Sequence, residues 1–305
     1  MLFIPNMKGH RLFQFRNNSI DFIALSRFLI PSSLAAILTS LLLISFLGVN
    51  FGVDFNGGSI VEIRSKEGLA DIAKIRDAVS NLGLGDIQIQ MFGSEKDVLI
   101  RVEQQYGDDN SQKYALEKII SAVGKNYEKR RTEIVGPVVS SELRNAGLIA
   151  VFCSILAIIC YVWFRFEWQF AVGTVFALIH DIIITIGVFV SLQFEFDLST
   201  VAALMTILGY SVNDTVVVSD RIRENLKKYK KLKLSTVINR SINEVLSRTL
   251  ITSLTTLIGL LALYLFGGHV IQDFTFTMMF GVIIGTYSSI FVLAPILEIL
   301  GVKRG

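Results

Sequence analysis

Six long apolar runs dominate the pattern of hydrophobic and polar positions along the chain. They cover approximately residues 28–48, 146–164, 169–192, 198–219, 249–267 and 275–299. Each run is long enough to cross about 30 Å of hydrocarbon as a helix that rises about 1.5 Å per residue. The first run begins too late and is too long for a cleavable signal sequence, so we expect it to remain as a membrane anchor. The pattern therefore predicts six transmembrane helices.

Residues 49–144, between the first two runs, are charged and periodic instead. Polar and apolar positions alternate as in strands over 59–64, 87–92 and 98–102, and a further strand is expected near 131–135. Two segments place their apolar residues on one helical face, at about 69–82 and 111–126. The order strand–helix–strand–strand–helix–strand is that of a ferredoxin-like domain.

The composition is that of a membrane protein, and the distribution of charge predicts its orientation in the membrane. The chain is 52% hydrophobic, 18% charged and has a mean hydropathy of +0.56, which is too apolar for an ordinary soluble domain. Lys8, Arg11, Arg16 and Arg27 precede the first run, and nine basic residues lie in 220–248. The connections 193–197 and 268–274 have no Lys or Arg. The positive-inside rule places both termini and 220–248 in the cytoplasm, which explains the basic segment more simply than nucleic-acid binding does.

The domain at 49–144 lacks the usual signs of an enzyme. Its thirteen basic and fifteen acidic residues nearly balance, and it contains no His and no Cys. No catalytic triad, zinc-ligand cluster or phosphate-binding loop is recognisable in it. We therefore expect no enzymatic activity, no cofactor, no metal and no nucleic-acid partner.

Asp214 is the most informative polar residue, because it follows about fifteen uncharged positions in the run 198–219. An ionised Asp near the centre of a membrane helix costs about 2.5–3.5 kcal/mol on insertion scales, so such groups commonly line an ion or proton path. Asn213 and Thr215 flank it and carry hydrogen-bonding groups, and Ser211 and Tyr210 lie one turn earlier.

A second candidate is Arg248, at the start of the fifth run. On a helix it shares one face with Thr252, Thr255, Thr256 and Gly259. Such a polar stripe is expected to face other helices or water. Two interpretations stay open: a stripe that only joins helices, or a basic partner for Asp214.

The third run adds His180 and Asp181 near its midpoint, with Thr174 and Thr185 on about the same face. A His–Asp pair can relay protons, because His titrates near neutral pH. It can equally be a self-satisfied polar pair that fixes helix packing. In the last run, Gly281 and Gly285 have the small-xxx-small spacing of closely packed helices.

Three motifs give the chain a resemblance to the SecF family, the membrane subunits of the bacterial SecD–SecF protein-export complex. They are Val-Asp-Phe-Asn-Gly-Gly at 53–58, Gly-Pro-Val-Val-Ser-Ser-Glu-Leu at 136–143 and Gly-Tyr-Ser-Val-Asn-Asp-Thr-Val-Val at 209–217. Residues 220–224 and 248–250 extend the resemblance, which covers nearly the whole chain in order. It implies a half-size member of the resistance–nodulation–division superfamily.

The resemblance also implies site roles. Asp214 corresponds to the proton-responsive carboxylate of the family, within a motif that includes Asn213 and Thr215, and Arg248 corresponds to its basic partner. His180 and Asp181 match the histidine–aspartate element of the third helix. The motif that joins the first helix to the periplasmic domain contains four residues: Asp54, Phe55, Gly57 and Gly58.

The function that the resemblance implies is that of an auxiliary, non-enzymatic subunit of the Sec protein translocase. Together with SecD it would use the proton-motive force to promote polypeptide export across the bacterial inner membrane. Its partners would be SecD, the translocon of SecY, SecE and SecG, YajC, the unfolded polypeptide and protons.

Two other functions remain open. A proton-coupled exporter of small molecules or lipids, from the same superfamily, usually carries two large external domains, whereas this chain has one of about ninety-five residues. In the other alternative the protein is a passive scaffold, in which Asp214 and Arg248 only hold helices together.

The expected fold is an α-helical integral membrane protein of six transmembrane helices with a small ferredoxin-like α+β periplasmic domain. We divide it into a cytoplasmic tail (1–27), a first transmembrane helix (28–48), a periplasmic head (49–144) and a five-helix bundle (145–305) with a basic cytoplasmic loop at 220–248.

Overall fold

The computed structural model describes residues 20–85, 87–105, 109–268 and 271–302. Its elements are α1 (Phe22–Leu47), α2 (Val53–Asn56), β1 (Gly58–Ser65), α3 (Ile72–Ser80), β2 (Ile87–Phe92), β3 (Ser94–Val102), α4 (Asp109–Val123), β4 (Tyr127–Val135), α5 (Pro137–Arg165), α6 (Trp168–Ser191), α7 (Leu198–Lys228), α8 (Leu234–Phe266), α9 (Gln272–Phe291) and α10 (Leu293–Leu300). Lys8, Arg11 and Arg16, which support the predicted orientation, lie outside the described residues.

The head has the predicted ferredoxin-like order of elements. Its four strands form one antiparallel sheet in the order β2-β3-β1-β4. Inward-facing residues of β1 and β3, such as Val61 and Ile100, form a core with Ile75 of α3 and Ile119 of α4. Because both helices cover the same face, the opposite face of the sheet is left for the rest of the molecule.

Six helices are long and apolar enough to cross a membrane, as predicted: α1, α5, α6, α7, α8 and the α9–α10 pair. In α6, α7 and α9–α10, 56% of the most apolar window is buried, against 11% in α1, α5 and α8. The first three are therefore the inner helices, and the other three pack around them.

The last membrane helix is interrupted at Val292, between α9 and α10. Pro295 lies in the first turn of α10. A proline has no N–H, and its ring clashes with the carbonyl of the residue four positions earlier, here Phe291. The interruption at this point follows from that clash.

The segment 220–248 differs from the predicted loop, because α7 continues to Lys228 and α8 begins at Leu234. These helix ends form a hairpin, in which Asn225 Nδ2 donates to Ser241 Oγ (3.0 Å) and Glu244 Oε2 (2.7 Å). Charged positions ended the apolar runs in the sequence but do not end the helices, since Arg, Lys and Glu are good helix formers.

This hairpin also holds the beginning of α1, which starts at Phe22, before the predicted boundary at 28. Asp21 caps the helix by accepting from Ala24 N, and its Oδ1 also accepts from Asn239 Nδ2 at 2.6 Å. Asn243 Nδ2 donates to the carbonyl of Ile20 at 2.8 Å. The start of α1 is thus tied to residues more than 200 positions later.

Candidate functional site

Asp214 lies among the inner helices and is only 2% exposed. Its Oδ2 is approached by two hydroxyls, Ser253 Oγ of α8 at 3.5 Å and Thr286 Oγ1 of α9 at 3.4 Å. The two hydroxyls are themselves 2.7 Å apart. Both contacts to the carboxylate are at the long end of hydrogen-bond geometry, so they hold it weakly.

The side chains next to Asp214 in the sequence do not bond to its carboxylate. Successive residues on a helix point about 100° apart, so Asn213 and Thr215 face away from the Asp214 carboxylate. Asn213 is exposed, and Thr215 is buried with an Oγ1 that has no partner among the described residues. Ser253 and Thr286, which the sequence did not single out, take their place.

The ion pairs of the described residues do not include one between Arg248 and Asp214. The predicted stripe on α8 is rotated relative to the buried face. Arg248, Thr255 and Gly259 are exposed, whereas Thr249 and Ser253 are buried. Thr252 and Thr256 are half-buried, so α8 packs in this chain through the face beside the stripe. That the stripe faces other helices or water stays a prediction.

Asp181 is fully buried and more strongly bonded than Asp214. Its Oδ1 lies 2.9 Å from His180 Nδ1, and its Oδ2 accepts from Ser211 Oγ (2.6 Å) and Ser288 Oγ (2.8 Å). These serines belong to α7 and α9. One carboxylate thereby joins all three inner helices.

His180 extends this network toward α1. Its ring stacks on Tyr287, with 5.9 Å between centroids, and the Tyr287 hydroxyl lies 2.8 Å from Ser33 Oγ of α1. His180 Nε2 is buried, and no group in the described part of the chain bonds to it. The ring therefore has one nitrogen engaged with Asp181 and one left for a proton or water.

Two glycines bring these groups together. A Cβ at Gly281 would overlap Ile207, and one at Gly285 would lie 3.0 Å from Ser211 Cβ. The predicted close packing is thus found between α9 and α7. Since Ser211 precedes Asp214 by three residues, this packing aligns the Asp181 and Asp214 networks along α7.

The motif before β1 joins the head to the bundle at the start of α7. Asp54 Oδ2 accepts from the backbone N–H of Leu198 at 3.0 Å. Gly52 N donates to Phe196 O at 2.9 Å, and the rings of Phe55 and Phe196 lie 5.9 Å apart. The predicted linking residues Asp54 and Phe55 therefore contact the segment that leads into the helix of Asp214.

The two glycines of this motif are required by its geometry. Gly57 and Gly58 have φ values of +72° and +125°. A Cβ at Gly58 would lie 2.5 Å from the carbonyl oxygen of Val102, and one at Gly57 would lie 2.6 Å from Gln104 Oε1. Only glycine allows the chain to turn here directly against β3.

A second link between head and bundle was missed by the sequence analysis. Arg101 of β3, 9% exposed, forms an ion pair with Glu195 in the connection between α6 and α7. Burial lowers the pKa of the Arg101 guanidinium from its ordinary value, and the negative charge of Asp197 opposes that shift. The only signal in the sequence was a charged residue in an otherwise apolar strand, between Ile100 and Val102.

Comparison with known families finds two matches. The family described as "Protein export membrane protein SecD/SecF, C-terminal" matches residues 115–303, and the "SecD/SecF GG Motif" matches residues 42–68. The second range contains Asp54, Phe55, Gly57 and Gly58, and the first contains Asp181, Asp214 and Arg248.

Individual relatives are similar along most of the chain. A protein translocase subunit SecF from Rickettsia bellii is 45% identical over 296 residues, covering 94% of this chain and 96% of its own. The SecF of Cereibacter sphaeroides is 47% identical over 289 residues, covering 92% and 87%.

Two solved structures are also similar. SecDF from Thermus thermophilus, a translocon-associated membrane protein, has a TM-score of 0.84 at 33% identity and covers 94% of this chain. SecDF in a super-membrane-facing form has a TM-score of 0.69 at the same identity and coverage. In both cases this chain corresponds to only 39% of the SecDF chain.

Proposed function

Because the chain belongs to the SecD/SecF family of protein export membrane proteins, we propose that it pairs with a SecD subunit and uses the proton-motive force to promote polypeptide export. Its auxiliary role in Sec-dependent export and its multi-pass membrane character follow from the family. Beyond this role, we propose the proton-motive force as the energy source, SecD as the partner and Asp214 as the site. The observation that carries it is the buried, weakly bonded carboxylate of Asp214.

Asp214 is suited to exchange a proton. It sits in a membrane-spanning helix, where an uncompensated charge is unfavourable, and its two hydroxyl contacts are long. A proton that crosses down the membrane potential releases about 2.3 kcal/mol per 100 mV. Alternate protonation from the two sides of the membrane would convert this energy into a change of helix packing around α7.

Arg248 is proposed as the basic group that responds to this charge. It lies on α8, the helix that also carries Ser253, and its side chain is exposed. The ionised carboxylate attracts the guanidinium and the protonated form releases it. His180 and Asp181 are proposed to anchor the inner helices and to take part in proton transfer as a hydrogen-bonded pair.

The start of α7 is proposed to transmit the change to the head. Asp54 bonds directly to Leu198, the first residue of the helix that carries Asp214, and Arg101 adds an ion pair to Glu195 just before it.

An exposed face on α7 and α8 is proposed to receive SecD. On α7 it contains Ala202, Thr206, Gly209 and Asn213, at helical spacing. On α8 it contains Arg248, Thr255 and Gly259. Small residues permit close helix approach, and a polar Asn in the membrane is favoured where a neighbouring helix can bond to it. The same surface explains why the stripe on α8 faces outward in this chain.

The remaining partners are proposed from the resemblance: SecY, SecE, SecG, YajC and the unfolded polypeptide. The protein would lie in the bacterial inner membrane with both termini in the cytoplasm and the head in the periplasm. The nine basic residues of 220–248 and the absence of Lys and Arg from 193–197 support this orientation.

The test is an Asp214→Asn exchange, which keeps size and hydrogen bonding but removes titration. We expect normal assembly with SecD and loss of the proton-dependent stimulation of secretion in energised membrane vesicles. Asp220→Asn is the matched control, since Asp220 lies on the same helix but is exposed and paired with Arg165. It should leave stimulation unchanged.

Two outcomes would contradict the proposal. Unimpaired late-stage translocation with Asp214→Asn would exclude a proton-carrying role. Failure of that variant to assemble with SecD would instead favour the scaffold, in which the carboxylate only holds helices together.

A further inference from the structure

An apolar groove opens between α5, α6 and α7 at the end of the bundle nearest the head. It has a volume of about 330 Å³. Gly147, Phe152 and Ile155 of α5 line one side, and Ile186 of α6 and Leu204 of α7 line the other. Further toward the membrane centre the three helices close up, because Leu178, Leu208 and Val212 form a core there with Ile155. The groove is thus a wedge with a closed inner end.

Its length corresponds to one leaflet of a bilayer. Arg144 lies at the mouth and Ile155 near the inner end, eleven residues apart on one helix. At about 1.5 Å per residue this is roughly 16 Å. Half of a hydrocarbon core is about 15 Å thick, so an extended acyl chain of the head-side leaflet fits the groove from end to end.

The charge at the mouth is unusual for this side of the membrane. The head-side connections 193–197 and 268–274 carry Glu195, Asp197 and Asp273 but no Lys or Arg. Arg144 is exposed, and the ion pairs found in the described ranges do not involve it. A guanidinium at the level of the lipid headgroups provides the planar, bidentate donor that phosphate oxygens accept.

We propose that the groove binds one anionic glycerophospholipid from the head-side leaflet, with an acyl chain between α5 and α7 and the phosphate on Arg144. The groove is also lined by Phe55, the residue after Asp54 in the joint between head and bundle. A bound lipid therefore packs against that joint and is a structural part of it.

Native mass spectrometry of the complex with SecD, delipidated and then titrated with phosphatidylglycerol or phosphatidylethanolamine, tests this binding. We expect tighter binding of phosphatidylglycerol. Arg144→Gln should weaken phosphatidylglycerol binding about five-fold, because one basic group near an anionic headgroup contributes about that factor. It should weaken phosphatidylethanolamine binding less, because the ammonium group of that lipid offsets the charge of its phosphate. Arg165→Gln, at the other end of α5, is the control and should change neither.

A second pair of variants tests the acyl chain. A Cβ at Gly147 would lie 3.7 Å from Val201 and 3.8 Å from Phe55, which is ordinary contact, so the side chain of Gly147→Leu grows into the groove. It should abolish retention of both lipids at this site. Ala146→Leu places the same side chain at an exposed position outside the groove and should have no effect.

Three results would overturn the proposal. The first is equal affinity for both lipids with Arg144 present. The second is a loss of binding that is the same for the variants and their controls. The third is binding to the chain alone that disappears in the complex with SecD, because a helix of the partner would then occupy the groove. Arg144 is exposed, so its variant reports on binding even if Gly147→Leu fails to fold.

Discussion

The carboxylate of Asp54 accepts a hydrogen bond from the backbone N–H of Leu198 at 3.0 Å. Leu198 is the first residue of α7, and Asp214 lies on the same helix, about 24 Å further along its axis. The negative charge of Asp54 also lies at the positive end of the dipole of α7. One continuous helix therefore connects the motif that joins the head to the bundle with the candidate proton site.

A graded series at Asp54 should separate hydrogen bonding from charge. Asp54→Asn keeps an acceptor and removes the charge, which we expect to lower the free energy of unfolding by about 0.3–1 kcal/mol. Asp54→Ala removes both and should lower it by about 0.5–2 kcal/mol. Thermal unfolding of the purified complex measures the stability, and vesicle translocation measures the coupling.

We expect proton-dependent stimulation to decrease in the same order, from the original residue to Asn to Ala. Asp77→Asn, at an exposed position on α3 of the head, is the control and should change neither quantity. Full stimulation with Asp54→Ala would show that this bond does not transmit motion to the head.

Gly58→Ala should be strongly destabilising, because the added Cβ would overlap the backbone of β3. Gly58 has φ +125°, and its added Cβ would meet the carbonyl oxygen of Val102 at 2.5 Å. Gly68→Ala is the matched control, since Gly68 has φ +72° but open space around the added atom. We expect backbone strain to lower the free energy of unfolding by about 1–3 kcal/mol in both variants, and the steric overlap to lower it further only at Gly58. Equal losses in thermal unfolding would show that the close approach to β3 is unimportant.

Gly281→Ala should separate α9 from α7 and disturb the site indirectly. The added Cβ would overlap Ile207, and overpacking of this kind costs about 1–3 kcal/mol. Ile207→Val in the same chain should restore part of the stability and of the translocation activity. Gly259→Ala, with nothing within 4 Å of its Cβ in this chain, should leave the stability of the chain measured without SecD unchanged. A neutral Gly281→Ala would argue against close packing at this position.

Exchanging the charges of Arg101 and Glu195 should test the second link between head and bundle. Each single reversal, Arg101→Glu or Glu195→Arg, places like charges together and should release the head, seen as faster proteolysis of the connection at 193–197. The double reversal should recover part of the protection, with a coupling of about 0.5–3 kcal/mol. Additive effects of the two single reversals would mean that the ion pair is not a link.

The sequence specified the elements well, because their patterns are local. Alternation in 59–64 depends only on which face of a strand is buried, and the structure has β1 there with alternate positions buried. Asp214 was equally visible, since a charge in an apolar run is conspicuous whatever surrounds it.

The partners of Asp214 were not predictable in the same way. Ser253 and Thr286 are hydroxyls among many on α8 and α9, and a hydroxyl in a membrane helix can also bond to its own backbone, as Thr252 does to Arg248 O. The absolute rotation of α8 is set by its packing on α7 and α9. Periodicity gave the spacing of the stripe from Arg248 to Gly259 but not the direction in which it points.

The bonds from the α7–α8 hairpin to the start of α1 impose an order on biosynthesis. Asp21 is synthesised 218 residues before Asn239, its partner. At about 5–20 residues per second, α1 emerges roughly 10–40 s before that partner exists. During this interval the beginning of α1 has only its own cap, so the newly inserted helix remains unfastened until the fifth membrane helix has begun to emerge from the ribosome.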